Sequence, residues 1–417
     1  MTEPVRTRIL FERLVTMTGR EYEGGEVWVK DGRVESIRDT VTPDDPVPTI
    51  DLTGHLLLPG FVNAHSHMGL CALEGRLTPG TPFADWILDV VAANTALGWT
   101  DRVGALHRHS QSMLRSGVTL LGDYLAHPEL LVELAGLPFR QVLFLETLGF
   151  PEEDAQARAA RVESLLEEHE SQGGRIRLGI APHAPYSVSP QLFRRLKAIA
   201  RRYRCPMSCH VAEVPEENEF LLTGNGPMRH LLEKRGAYDA AWQPPAIGPV
   251  AYLDRLGALE GLVGVHLNDV TADVDLLARR NVTAVFCPGS TCWFGREQYM
   301  PVRQLVDRGV PVGLGTDSLA SNESLNFLRE LKLAESMLPN MSRAEILTMA
   351  TRWGAEALHS EAGTVEPGRP ADLIAFRMDE KSGDWFDIPF ESGREEVDWV
   401  MIYGTPVPTE AGPEGER

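Results

Sequence analysis

The sequence predicts an α/β protein, a (β/α)8 TIM barrel joined to a small β-sandwich built from both termini. Three observations carry this reading. Eight short apolar runs alternate with longer amphipathic stretches through the middle of the chain. Turn-broken runs of β type occupy both ends. Most of the apolar runs end in His, Glu or Asp, at the strand ends where barrel enzymes carry their chemistry.

The 417 residues, 43% hydrophobic and 24% charged, are enough for a barrel of about 250 residues and a smaller unit. Acids outnumber bases 59 to 40, a net charge of −19. That balance excludes a general nucleic-acid binder, which needs a basic face, and argues against an anionic membrane surface as partner. No apolar run reaches the roughly 18 residues of a membrane span. The start, MTEPVRTRILFERL, carries charges inside its apolar stretch, so a cytoplasmic protein is expected. Five cysteines give no disulfide framework.

Residues 1–58 begin with short β-type runs. In EVWVKDGRVESI, Asp31-Gly32 separates two alternating strands, a hairpin signal. Residues 361–417 contain similar runs, AGTVEPGRPADLIAF and VDWVMIYGTPV. These two ends are assigned to the β-sandwich and residues 59–360 to the barrel.

The eight barrel strands are read at 56–65, 118–125, 140–149, 175–183, 205–213, 262–268, 283–290 and 310–318. Most are rich in Val, Ile, Leu and Phe, as parallel strands buried on both faces should be. Helical patterns such as 191–203 lie between them. Two connections, 68–117 and 214–260, are longer than a crossover needs and belong over the C-terminal mouth.

The first run ends in His65-Ser66-His67. Residues i and i+2 of a strand share a face, so both imidazoles can meet one metal. The fourth run ends in His183, the fifth in His210-Val211-Ala212-Glu213, the sixth carries His266 and the eighth Asp317. Neutral imidazoles with a carboxylate suit Zn or Fe, and three or four protein ligands leave a position for water. Singly, each has a plainer reading: a core His, a capping Asp. His107-Arg108-His109 is also an HxH, but in a helical pattern its two rings point apart, so it is read as packing or surface. Cys205 and Cys209 near His210 are read as apolar thiols.

PGFVNAHSHM (59–68), HVAE (210–213), His266, GTDSLASN (315–322) and GTVEPGRPADLIAF (363–376) together resemble the amidohydrolase superfamily. The branch is similar to the cytosine-deaminase-like group, which includes guanine, adenosylhomocysteine/methylthioadenosine and aminodeoxyfutalosine deaminases and triazine hydrolases. The resemblance implies a distorted barrel, one divalent metal on His65, His67, His210 and Asp317, and a homodimer. It makes Glu213 the proton shuttle, with Asp317 and His266 acting on the attacking water. Binuclear members carry a bridging carboxylated Lys at the end of the fourth strand. Here that strand ends in Ala181-Pro182-His183, so one metal is expected.

Trp86, Glu146, His183 and Ser321 are the expected substrate contacts. Asn94-Thr95 stands where adenosylhomocysteine deaminases carry a ribose-binding Glu, and Glu146 where they carry an Arg for the substrate carboxylate. LETLGF and SLASNESLNF look most like the aminodeoxyfutalosine deaminases. Arg76 and Arg140 are candidates to bind a tail carboxylate. The expected reaction is hydrolytic deamination of 6-aminodeoxyfutalosine, a step of menaquinone synthesis. Alternatives are adenosylhomocysteine/methylthioadenosine or guanine deamination, triazine hydrolysis, and an inactive relative that only binds.

Overall fold

The computed structural model describes residues 6–42, 46–170, 176–379 and 383–408. Strands β1 (Arg6–Val15), β2 (Glu21–Lys30), β3 (Arg33–Arg38) and β4 (Thr49–Pro59) come first. The hairpin between β2 and β3 turns at Asp31 and Gly32, with φ of 51° and 79°. Two residues in the left-handed region are what a type I′ turn requires.

Eight strands follow: β5 (Phe61–Ser66), β6 (Val118–Leu125), β7 (Arg140–Thr147), β8 (Ile176–Pro182), β9 (Ser208–Val211), β10 (Val263–His266), β11 (Thr283–Phe286) and β12 (Val312–Leu314). They form two parallel four-stranded sheets, β5-β6-β7-β8 and β9-β10-β11-β12. Parallel bridges join both edges, Ser66 to Asp317 and Ile180 to Met207. The ring of eight is thereby complete, with Thr316 N donating to His65 O at 3.0 Å on one seam and Ile180 N to Pro206 O at 3.0 Å on the other. A Cβ on Gly315 would sit 2.9 Å from both Cβ and O of His65. Glycine there lets the last strand approach the first.

Side chains alternate along the barrel strands. Val142 and Phe144 join the interior with Val62, Tyr124 and Val265, whereas Leu143 and Leu145 face the surrounding helices. At the C-terminal end of the chain, β13 (Leu373–Arg377), β14 (Trp399–Ile402) and β15 (Thr405–Val407) return to the first strands. One continuous seven-stranded sheet results, in the order β15-β14-β13-β4-β1-β2-β3. Its period-two pattern serves two cores. Leu57, Leu373, Ala375 and Met401 pack with Ile9 and Val27, while Leu58, Ile374, Phe376 and Val400 pack against the barrel. Arg140, at the start of β7, forms a 2.6 Å ion pair with buried Asp372 and fastens the barrel floor to the sheet.

The two long connections hold helices Phe83–Thr95 and Trp99–Arg115, and Pro215–Thr223, Pro227–Lys234 and Pro249–Arg255. Leu70, Trp86, Ile87 and Val90 from the first, and Leu231 and Leu232 from the second, line one cavity at the C-terminal mouth. No helix among the described residues is long and apolar enough to cross a membrane.

Candidate active site

Five side chains meet where the strands end. His65 lies on β5 and His67 just beyond it. His210 is on β9, His266 closes β10, and Asp317 follows β12. Ring centroids of His65 are 4.9 Å from His67, 5.1 Å from His210 and 5.8 Å from His266. Oδ1 of Asp317 is 3.6 Å from Nε2 of both His65 and His67. Ligand atoms of His65, His67 and Asp317 lie within 4.8 Å of one another, as do those of His65, His210 and His266.

The backbone turns sharply here. Ala212, His266 and Asp317 have φ of 50°, 71° and 59°, each a conformation that costs on the order of 1–3 kcal/mol. The turn ends each strand and aims its polar residue across the mouth.

A metal ion fits this cluster. His65 is fully buried, and neither ring nitrogen has a hydrogen-bond partner. A buried polar atom without a partner is costly, and a cation would satisfy it. His210 Nδ1 sits 3.0 Å from the carbonyl of His183, which orients the ring and leaves Nε2 for the cluster. Burial, reinforced by the neighbouring imidazoles, lowers His67 to about 3 and takes His210 and His266 well below their ordinary range. Neutral imidazoles are the form that binds a metal. Burial would raise the Asp317 carboxyl, but the imidazoles of His65, His266 and His67 outweigh it and hold the group well below its usual range. Hydroxyls of Ser290 and Ser321 each donate to Asp317 Oδ2 at 2.8 Å.

Glu213 follows β9 and is 6% exposed. Its Oε2 is 3.7 Å from His266 Nε2, and its Oε1 accepts from Arg296 Nη2 at 2.9 Å. Burial raises the carboxyl and Arg296 opposes the rise, so the group titrates at about 7. A carboxylate poised there can give and take a proton at physiological pH.

The cavity above the cluster has a volume of about 630 Å³, and His67, His210, Glu213, His266 and Asp317 form its floor. Trp86, Glu146 and His183 are among the residues that line it. Trp86 is fixed by its indole N–H donating to Ala320 O at 2.9 Å. His183 Nδ1 lies 2.7 Å from Ser187 Oγ, and burial lowers the ring to about 4. Burial, with Asp123 and Asp317 adding to it, raises Glu146 to about 8. The rise favours the protonated carboxyl, the form that can donate as well as accept.

Ser321, expected to touch substrate, does not line the cavity. It is fully buried beneath Asp317, where its hydroxyl is used. Arg140 lies at the opposite end of the barrel on Asp372, and Arg76 is not among the lining residues. His109 packs in a helix and faces Glu74 rather than the cluster. Cys205 and Cys209 are free thiols, and Cys209 is buried.

Sequence reasoning missed three supports. Asp123, on β6, accepts from Ser66 Oγ at 2.8 Å and from Met68 N at 2.6 Å, holding the HxH segment. Its sequence signal was a lone acid inside an apolar strand. Ser290 sits in the short helix Pro288–Trp293 after β11 and Arg296 in the loop beyond it, segments too short to carry a periodic pattern that points at a site.

A family model described as "Amidohydrolase family" matches residues 56–407. A 5-methylthioadenosine/S-adenosylhomocysteine deaminase of Nitratidesulfovibrio vulgaris is 32% identical over 85% of this chain and 79% of its own length. Two solved structures share the fold. Helicobacter pylori aminofutalosine deaminase, in complex with methylthio-coformycin, superposes with a TM-score of 0.84 at 24% identity, covering 96% of this chain and 100% of that one. An adenosine deaminase from Xanthomonas campestris with bound zinc gives a TM-score of 0.79 at 24% identity, covering 96% and 92%.

Proposed function

The chain belongs to the amidohydrolase family and is a hydrolase, and we propose that it deaminates a 6-aminopurine nucleoside, with 6-aminodeoxyfutalosine as substrate. The observation that carries this is the placing of Glu213: a buried carboxyl group 3.7 Å from His266, lining the same cavity as the His/Asp cluster, with burial pushing it up to about 7.

His65, His67, His210 and Asp317 would hold one zinc ion, the ion suited to three imidazoles and a carboxylate; iron would use the same donors. Such an ion supplies Lewis acidity and lowers the pKa of water. Asp317, kept ionised, takes the proton from the attacking water. His266 Nε2, neutral and facing Glu213, holds that water against the purine C6. Glu213 delivers a proton to the adjacent ring nitrogen, so negative charge does not accumulate on the ring. The proton from Asp317 passes to the exocyclic amine, the C6–N bond breaks and ammonia leaves, and the C6 hydroxyl returns its remaining proton to Glu213 as the product carbonyl forms.

The cavity walls support an aromatic tail on the nucleoside. Leu70, Trp86, Ile87, Phe150 and Leu231 make them largely apolar. Glu146, whose carboxyl is raised by burial, offers a hydrogen bond to that tail. A second reading, deamination of methylthioadenosine or adenosylhomocysteine, is favoured by the N. vulgaris relative. Ammonia release from zinc-loaded protein with aminodeoxyfutalosine, adenosylhomocysteine, methylthioadenosine, adenosine and guanine tests both. The proposal expects kcat/KM for aminodeoxyfutalosine to exceed the rest by about a hundredfold, or roughly 2.7 kcal/mol of transition-state discrimination. Comparable or faster turnover of adenosylhomocysteine would overturn the substrate assignment. Silence on all five would overturn the reaction.

A further inference from the structure

Glu213 has two neighbours of opposite character. Arg296 Nη2 donates to Oε1 at 2.9 Å, while Oε2 faces His266 at 3.7 Å. Glu213 is buried and Arg296 largely so, with side-chain exposures of 6% and 10%. The guanidinium is itself fixed. It lies over the ring of Phe294 at 4.4 Å and over Phe83 at 5.8 Å, and its backbone N–H donates to Thr291 O at 3.1 Å. A second cavity of about 300 Å³ opens behind it, lined by Arg296, Asn268, Asp269 and Gln298, and Glu213 and Phe83 line both cavities. The ion pair is therefore part of the wall between the two spaces.

We propose that Arg296 is the positioning residue of the proton shuttle: by occupying Glu213 Oε1 it assigns the transferable proton to Oε2. The assignment rests on the deaminase reading above. A guanidinium only donates and does not lose its proton in proteins. Oε1 must therefore act as acceptor whenever Arg296 is in place, and the carboxyl proton resides on Oε2. That oxygen is the one turned to His266 and the main cavity. Backbone contacts complete the restraint: Glu213 N donates to Glu217 Oε2 at 3.1 Å, and Asn268 Nδ2 donates to Glu213 O at 3.0 Å. Without Arg296, the carboxyl can rotate, present either oxygen, or turn into the second cavity. The reaction then loses turnover more than substrate binding.

The test uses zinc-loaded full-length protein with methylthioadenosine and adenosine as probes. Arg296→Ala should lower kcat by roughly ten- to a hundredfold, the range typical of a lost supporting contact, with KM and bound zinc near wild type. Added guanidinium should restore part of the lost rate. Arg296→Lys keeps the charge but not the fork, and should retain more activity than Ala and gain nothing from guanidinium. In a Glu213→Gln background, Arg296→Ala should cost little further, because the two act as one unit. An active wild type with Arg296→Ala turnover within about twofold of it would overturn the proposal, since the lost restraint is expected to cost at least tenfold. Loss of zinc in both variants, or fully additive losses in the double variant, would also overturn it and make Arg296 a packing residue. A wild type inactive on both probes and on the wider panel would overturn the deaminase reading, and this assignment with it.

Discussion

The hydroxyl of Ser321 donates to Asp317 Oδ2 at 2.8 Å, while Oδ1 of the same carboxylate faces His65 and His67 at 3.6 Å each. Ser290 donates to Oδ2 at the same distance. One oxygen is tied to the protein and the other is aimed at the imidazoles. Ser290→Ala and Ser321→Ala should each weaken zinc binding by about ten- to a hundredfold, as read by competition with a chromophoric chelator. Affinity unchanged even in the double variant would remove the hydroxyls from the metal site.

His67→Ala should lose both zinc and activity. His109→Ala, at the helical HxH that faces Glu74, should keep both. Metal analysis of the purified variants separates the two, and a fully metallated His67 variant would break the ligand assignment.

Glu213→Gln should keep its zinc and lose turnover by roughly 10²–10⁴-fold, the usual range for general acid–base work. Steady-state kinetics beside metal analysis decide this, and a near-normal rate would remove Glu213 as the shuttle.

Glu217 gives a pH signature in stability. It is fully buried, burial raises it to about 8, and hydrogen bonds from the backbone of Glu213 and Ala212 only partly offset this. Its folded value thus lies above its ordinary value of 4.5. Between the two, the folded protein holds a proton that the unfolded chain has released. The contribution of Glu217 to stability should therefore fall as pH rises from about 4.5 to about 8 and level off above that. Glu217→Gln removes this contribution, so its melting temperature should gain on wild type across the same window. A constant difference from pH 5 to 9 would mean that Glu217 is not held protonated.

Arg140→Met should destabilise the fold without touching the site. It leaves Asp372, 1% exposed in its side chain, without its ion-pair partner. Breaking a buried pair in this way costs about 3–5 kcal/mol. Denaturant unfolding reads the loss, and kcat measured on the folded fraction should be unchanged.

Much of the site was legible because barrel geometry turns a one-dimensional pattern into a three-dimensional one. Once the apolar runs are taken as parallel strands, their C-terminal residues must share one rim, and His65, His67, His210, His266 and Asp317 follow. The spacing of His65 and His67 adds a common face. Ser321 was misread because its segment is irregular beyond β12. Nothing in the linear order says whether its hydroxyl points up to substrate or down to Asp317. Arg140 was misplaced for a related reason: at the start of β7 it belongs to the opposite rim from Glu146, near that strand's other end.

The sequence by itself determined the repeating strand pattern, the β-type runs at both termini and the residues available at the active rim, because these follow from local periodicity and strand polarity. Tertiary structure alone decided which groups serve the site from behind. Ser290 and Arg296 lie 27 and 83 residues from Asp317 and Glu213, the groups they contact. Asp123 lies 57 from Ser66. Such pairings carry no local period; they exist because closing the ring brings separate strand ends and loops into one buried, low-dielectric volume. There a carboxylate's protonation and direction are set by whichever partners the packing supplies.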